Sequence, residues 1–157
     1  MDDAVTAPLK LLVRRTPNRG AAEGVSVAVD VPADVRFIEE AVELLARHCF
    51  AGAAPCQRTS FRLRVLLAES LTNSILFGAG GDPSRSVHVA VQVNAESIRL
   101  EITDDGPGFD PAEVPDPTSP EGVGRPIGRG LFLIKNLADQ VGFNPQGNTI
   151  WMTLPRS

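Results

Sequence analysis

Residues Val87–Phe109 read VHVAVQVNAESIRLEITDDGPGF. Val87, Val89, Val91 and Val93 alternate with small or polar residues, Asn94-Ala95-Glu96 turns the chain, and Ile98, Leu100 and Ile102 alternate again. A period of two sends successive side chains to opposite faces, so the pattern predicts a hairpin with one buried face. The end of the second strand is less ordinary. Two acids, Asp104 and Asp105, precede two glycines that flank Pro107. A tight turn accounts for Asp-Gly and Pro-Gly. The same residues equally suit a strand-end carboxylate that accepts a hydrogen bond from an amino group, with Gly106 and Gly108 letting backbone approach a flat ring. The stretch alone leaves both readings open.

Working upstream, Val25, Val27, Val29 and Val31 alternate as a strand does. Pro32 and Asp34 are helix-start signals, and Val35, Ile38, Val42, Leu45 and Cys49 form an amphipathic stripe to about Phe50. Thr59 or Ser60 is the expected cap of a second helix through about Phe77, with Leu63, Leu67, Leu71 and Ile75 in one row. Gly78 to Pro83 ends it. Downstream, residues 104–128 are rich in Pro, Gly and acids without a period, and a loop that long in a compact domain is functional or mobile. Leu131, Ile134, Leu137, Ala138 and Val141 predict a last helix, and Thr149 to Leu154 a closing strand. Residues 1–23 read as a flexible tail or a short first strand, and 24–157 as the domain. This order predicts an α+β fold: a two-layer sandwich, with helices on one face of a mainly antiparallel mixed sheet.

The 157 residues suit one domain with one core. At 43% hydrophobic and 22% charged, the chain has no apolar run near the roughly 20 residues of a bilayer span, and its first residues lack a signal-peptide core. A cytoplasmic location is the expectation. A net charge of -4 argues against a nucleic-acid footprint. Cys49 and Cys56 match no zinc spacing and are expected to be passive thiols. His48 and His88 fall late in a helix and on a strand, positions that suit structural or exposed roles.

Two further groups carry possible chemistry. Glu69 and Asn73 stand four residues apart on one helical face, which in isolation is also what a solvated face looks like. Gly128-Arg129-Gly130-Leu131 opens the last predicted helix, where free backbone N–H groups and the helix dipole favour phosphate. No Gly-Lys-Ser/Thr follows to make a Walker loop, and the third glycine of a dinucleotide fingerprint is missing.

Taken in order, Glu-x-x-x-Asn, Asp-x-Gly-x-Gly, a long loop and Gly-x-Gly-Leu resemble the GHKL superfamily of gyrase-type, chaperone, mismatch-repair and histidine-kinase ATPase domains. Within it, AESLTNSILFG (68–78), ITDDGPGFDP (102–111), GRGLFLIKNLADQV (128–141) and Gly147-Asn148-Thr149 look like the anti-sigma-factor serine/threonine kinases. The resemblance covers roughly residues 24–154. It implies a Bergerat-type fold with a long ATP lid, and ATP and Mg²⁺ as ligands. It assigns Glu69 as general base, Asn73 to Mg²⁺ and Asp104 to the adenine amino group. Gly106 and Gly108 would flank the base, and Gly128, Arg129, Gly130 and Leu131 would meet the phosphates. Arg125 in the lid would reach the γ-phosphate, and Thr149 would lie near the nucleotide. The implied function is that of a homodimeric anti-sigma factor, which sequesters a sigma factor and phosphorylates an anti-anti-sigma (STAS-type) antagonist. No direct contact with nucleic acid or membrane is implied. Phe77 stands where many relatives carry His, so any polar role of that position is lost. Two alternatives remain: a nucleotide-gated partner-binding module without phosphotransfer, and the ATPase part of a split histidine kinase. For the latter, the chain has no room for a dimerising helical pair.

Overall fold

Alternating aliphatic strands bury one face only when a second layer covers it, and here helices supply that layer. The protein is described by a computed structural model over residues 9–16, 24–50, 55–106 and 126–156. Six strands, β1 (Lys10–Thr16), β2 (Gly24–Pro32), β3 (Ser86–Val93), β4 (Ser97–Asp104), β5 (Gln140–Phe143) and β6 (Thr149–Pro155), form one sheet in the order β1-β2-β3-β4-β6-β5. All of these pairings are antiparallel, so the mixed component of the expected sheet is absent among the described strands. The α+β sandwich itself is present.

Register explains the two faces. Val29, Val89, Ile102 and Ile150 pair in one line across four strands and are buried under the helices. Asp30, His88, Thr103 and Thr149 pair in the next line and face outward, so a slip by one residue would exchange core for surface.

The covering layer is α1 (Ile38–Cys49), α2 (Gln57–Asn73) and α3 (Pro126–Leu137). A 3-10 turn, Val35–Phe37, precedes α1; Asp34 caps it by accepting the Arg36 N–H at 3.0 Å. The α1 stripe buries Val42, Leu45 and Cys49, and burial pushes the Cys49 thiol up to about 12. The second helix begins earlier than Thr59 or Ser60 would set it, with Cys56 at the N-cap. Thr59 lies buried in the first turn, its hydroxyl 3.3 Å from the Cys56 sulfur, a contact that lowers the exposed thiol from its ordinary value.

The far end of α2 widens into a π-helical turn, Ser74–Gly78, in which the Ala79 N–H donates to the Ser74 carbonyl at 2.8 Å. Gly80 and Gly81, with φ of +67° and +69°, then stop the helix. The last helix is shorter than its sequence suggests, because Val141 leaves it for β5, where it pairs with Met152 of β6. The C-terminus of α3 is held by Arg62 of α2, whose Nε donates to the Leu137 carbonyl at 2.9 Å and whose guanidinium lies 3.5 Å from Asp139. A cation on the last carbonyls suits the negative end of the helix. Among the described residues, no helix is long and apolar enough to cross a membrane.

Leu100 is fully buried on the central strand β4. Leu100→Ala should lower the unfolding free energy by about 2–5 kcal/mol, seen as a lower urea midpoint at unchanged slope. A loss under about 1 kcal/mol would contradict this packing.

Candidate functional site

Glu69 and Asn73 do share a face of α2, but that face is not solvated at Asn73, which is only 7% exposed. Gly130 of α3 lies against both. A Cβ placed on Gly130 would stand 3.1 Å from Glu69 Oε2 and from Asn73 Oδ1, and 3.2 Å from Asn73 Nδ2. A bare backbone is what allows α3 to come this close. Asn73 Nδ2 is buried without a hydrogen-bond partner among the described residues. An unpartnered buried N–H donor is costly in the free protein and stays available to an acceptor on a ligand. Glu69 is half-buried and makes no ion pair or hydrogen bond among the described residues.

Asp104 closes β4 on the inward-facing row and is 4% exposed. Its Oδ1 accepts the Gly106 N–H at 2.8 Å, and its own N–H donates to the Asn148 carbonyl at 2.9 Å. Burial pushes its carboxyl above the ordinary value; the Gly106 bond pulls it back, and the charge of Asp105 adds to the rise. Asp105 faces the other way. It is exposed and 4.0 Å from His88, whose second ring nitrogen contacts Asp30.

Between these groups lies a cavity. The end of α2 contributes Ser70, Asn73 and Ser74, β4 contributes Asp104, and α3 contributes Leu131. The β5–β6 turn contributes Phe143, Gly147 and Asn148, and Ile150 follows on β6. The cavity is narrow, about 10 Å³, room for about one water, so a ring entering it must part the walls. Two larger grooves, about 650 and 540 Å³, flank Phe61 on the α1–α2 surface and contain none of the predicted site residues.

Of the predicted residues, the structure gathers Asn73, Asp104 and Leu131 around the cavity, with Glu69 and Gly130 packed beside Asn73. Gly106 is held to Asp104. Thr149, expected near the nucleotide, instead lies on the outward-facing row, its hydroxyl 3.0 Å from that of Thr103, and does not line the cavity. Gly128 and Arg129 lie in the first turn of α3, and Gly108, Arg125 and most of the expected lid fall outside the described residues. Sequence reasoning missed Ser74, Phe143 and Ile150. Ser74 could have been found as the neighbour of Asn73; Phe143 carried no signal, because β5 itself was not foreseen.

An antiparallel sheet, a helix bearing Glu69 and the buried, cavity-lining Asn73, and a Gly-rich helix start packed against both define a class. The sequence pattern of the histidine kinase-like ATPase domain matches residues 31–154, and the chain belongs to that family. Within it, the chain is similar to the serine-protein kinase RsbW of Oceanobacillus iheyensis, 26% identical over 130 residues that cover 76% of this chain and 79% of that protein. Anti-sigma F factors of Oceanobacillus iheyensis and Anoxybacillus flavithermus are 29% and 27% identical over 97 and 90 residues. The matched regions are 58% and 55% of this chain and 66% and 60% of those proteins, so the chain spans about two thirds or less of each. One of these relatives is thus named a serine-protein kinase and the other two anti-sigma factors.

The raised Asp104 carboxyl makes a pH prediction. Its unfolded value is 3.8 and its folded value is higher, so over that window the native state keeps a proton that the unfolded chain has released. Stability therefore falls as pH rises through the window, and the cost persists above it. Asp104→Asn, which keeps an acceptor for Gly106, should gain little over the parent at the acid end and progressively more toward neutrality. Urea unfolding across this range measures it; a difference that does not change with pH would show that burial does not penalise the carboxylate.

Proposed function

We propose that this protein binds Mg-ATP and transfers the γ-phosphoryl group to a serine or threonine of an anti-anti-sigma (STAS-type) antagonist, holding a sigma factor when that antagonist is phosphorylated. One observation carries the reading: Gly130 brings the start of α3 onto Glu69 and Asn73, while Asp104 faces the same cavity from β4. The names of the relatives, a serine-protein kinase and anti-sigma F factors, support it.

The residues fit the ligands. Asn73 has a buried, unpartnered Nδ2 that would donate to a phosphate oxygen, and its Oδ1 would be the ligand offered to Mg²⁺, which takes one or two protein oxygens beside waters and phosphates. When bound, Mg²⁺ neutralises charge on the β- and γ-phosphate oxygens. Backbone N–H groups from Gly128 to Gly130 meet phosphate at the positive end of α3. Asp104, which lines the cavity, accepts from the adenine amino group. Glu69, free of ion pairs among the described residues, takes the proton of the attacking hydroxyl. The new bond joins the serine or threonine oxygen to the γ-phosphorus, the bridge to the β-phosphate breaks, and ADP leaves with the electron pair. The antagonist gains about 1.5–2 negative charges, enough to disrupt a packed interface. By the same resemblance the protein acts as a cytoplasmic homodimer. Phe77, 42% exposed on the π turn, offers no polar group to this chemistry.

Incubation with ATP labelled at the γ-phosphate and a recombinant STAS-type antagonist tests the proposal. Acid-stable label on serine or threonine is the expected result. Nucleotide binding without label would favour the binding module, and acid-labile label on histidine the split histidine kinase. Asn73→Ala should weaken Mg-ATP binding by more than about tenfold with the far-ultraviolet dichroism intact, since a ligating group worth at least about 1.4 kcal/mol is removed; unchanged affinity would sink the site. Glu69→Ala should keep nucleotide affinity and slow transfer by about 10²–10⁴-fold. An unaltered single-turnover rate would exclude Glu69 as the base.

A further inference from the structure

The π turn after α2 ends on Gly78, and the obvious role for a glycine there is to stop the helix. The backbone does not require it: the positive φ angles among the described glycines belong to Gly80, Gly81 and Gly147, not to Gly78. What excludes a side chain is Asp104. A Cβ on Gly78 would lie 2.2 Å from Asp104 Oδ2, 2.3 Å from its Cγ and 2.7 Å from Oδ1. The carboxylate cannot swing away freely, because the Gly106 N–H holds Oδ1 at 2.8 Å. Gly106 is in turn pressed on the same turn, where its own Cβ would fall 1.7 Å from the Gly78 carbonyl oxygen. Asp104 is thus clamped between two stretches of bare backbone, one from the end of α2 and one from the turn after β4. An α-helical continuation of α2 would present a different edge there, since a π turn rotates everything beyond it.

We propose that Gly78 is a positioning residue for base recognition: delivered by the π turn, it fixes the direction of the Asp104 carboxylate into the cavity and so sets a preference for purines that carry a 6-amino group. The inference rests on the reading of Asp104 as the base contact. It assigns the π turn a task that Glu69 and Asn73, nine and five residues before Gly78 on α2, do not perform. The turn joins the phosphate end of the site to its base end.

The test compares ATP with a purine riboside triphosphate lacking the 6-amino group, and uses tripolyphosphate as a probe of the phosphate end. The parent protein should prefer ATP by about tenfold or more, the scale of a hydrogen bond to a charged acceptor. In Gly78→Ala the ratio should collapse toward one while tripolyphosphate affinity holds. General destabilisation would weaken both nucleotides and leave the ratio intact. A folded Gly78→Ala variant that keeps the parent's ratio overturns the inference alone. A parent protein that does not discriminate overturns the reading of Asp104, and the inference with it. Should Gly78→Ala fail to fold, Gly78→Ala with Asp104→Ala removes the opposing atoms; recovered thermal stability supports the clamp, and failure to recover overturns it.

Discussion

An ionisable carboxylate sits where a valine or isoleucine would satisfy the fold better, and much of the structure is arranged around it. Ile98, Leu100, Ile102 and Asp104 occupy successive inward positions of β4. The register that buries three aliphatic side chains therefore buries the acid as well, because a strand cannot turn one residue outward without a bulge or a slip. Such burial disfavours the charged form, and one backbone N–H from Gly106 offsets only part of that. A sequence selected for stability alone would not keep an acid there. Its retention fits a site whose missing partner arrives with a ligand.

The second organising contact is between α2 and α3, and it is fixed at both ends by different physics. At the start of α3, the absence of a side chain on Gly130 sets the distance to Glu69 and Asn73. At its finish, the guanidinium of Arg62 takes the Leu137 carbonyl and lies near Asp139. Steric closeness at one end and a charge-assisted bond at the other leave the helix little freedom to slide along α2. Asn73, which lines the cavity, and Glu69 beside it are thereby packed against the start of α3.

The parts of this architecture legible in the sequence are those governed by period. β2, β3 and β4 follow from alternating valines and isoleucines, and α1 from its stripe through Val42 and Leu45. β5 was hidden because Leu137, Ala138 and Val141 continue a helical spacing; what makes Gln140–Phe143 a strand is pairing with β6, a long-range fact. The π turn was hidden for a similar reason. Its apolar residues suit an α-helix equally well, and the approach of Gly78 to Asp104 is a long-range contact that periodicity does not carry. For the site, motif order pointed to Glu69, Asn73, Asp104 and Gly130, which the fold brings together. Phe143 and Ile150 belong to no motif and line the cavity because the β5–β6 turn folds back beside β4.

One residue on the outer face of the sheet has a practical consequence. Trp151 is the single tryptophan of the chain; its ring lies across Gly142 on the neighbouring strand, and the Arg99 guanidinium stacks over it with 4.9 Å between Cζ and the ring centre. It is the next residue after Ile150, which lines the cavity from the other side of the same strand. Indole emission responds to the polarity and charge around the ring, so the native fluorescence of this protein arises from one place, the β5–β6 hairpin behind the cavity. A spectral change on adding a nucleotide would register movement of that wall without a label, and unfolding followed at the same wavelength would report the closing edge of the sheet rather than the helices that cover it.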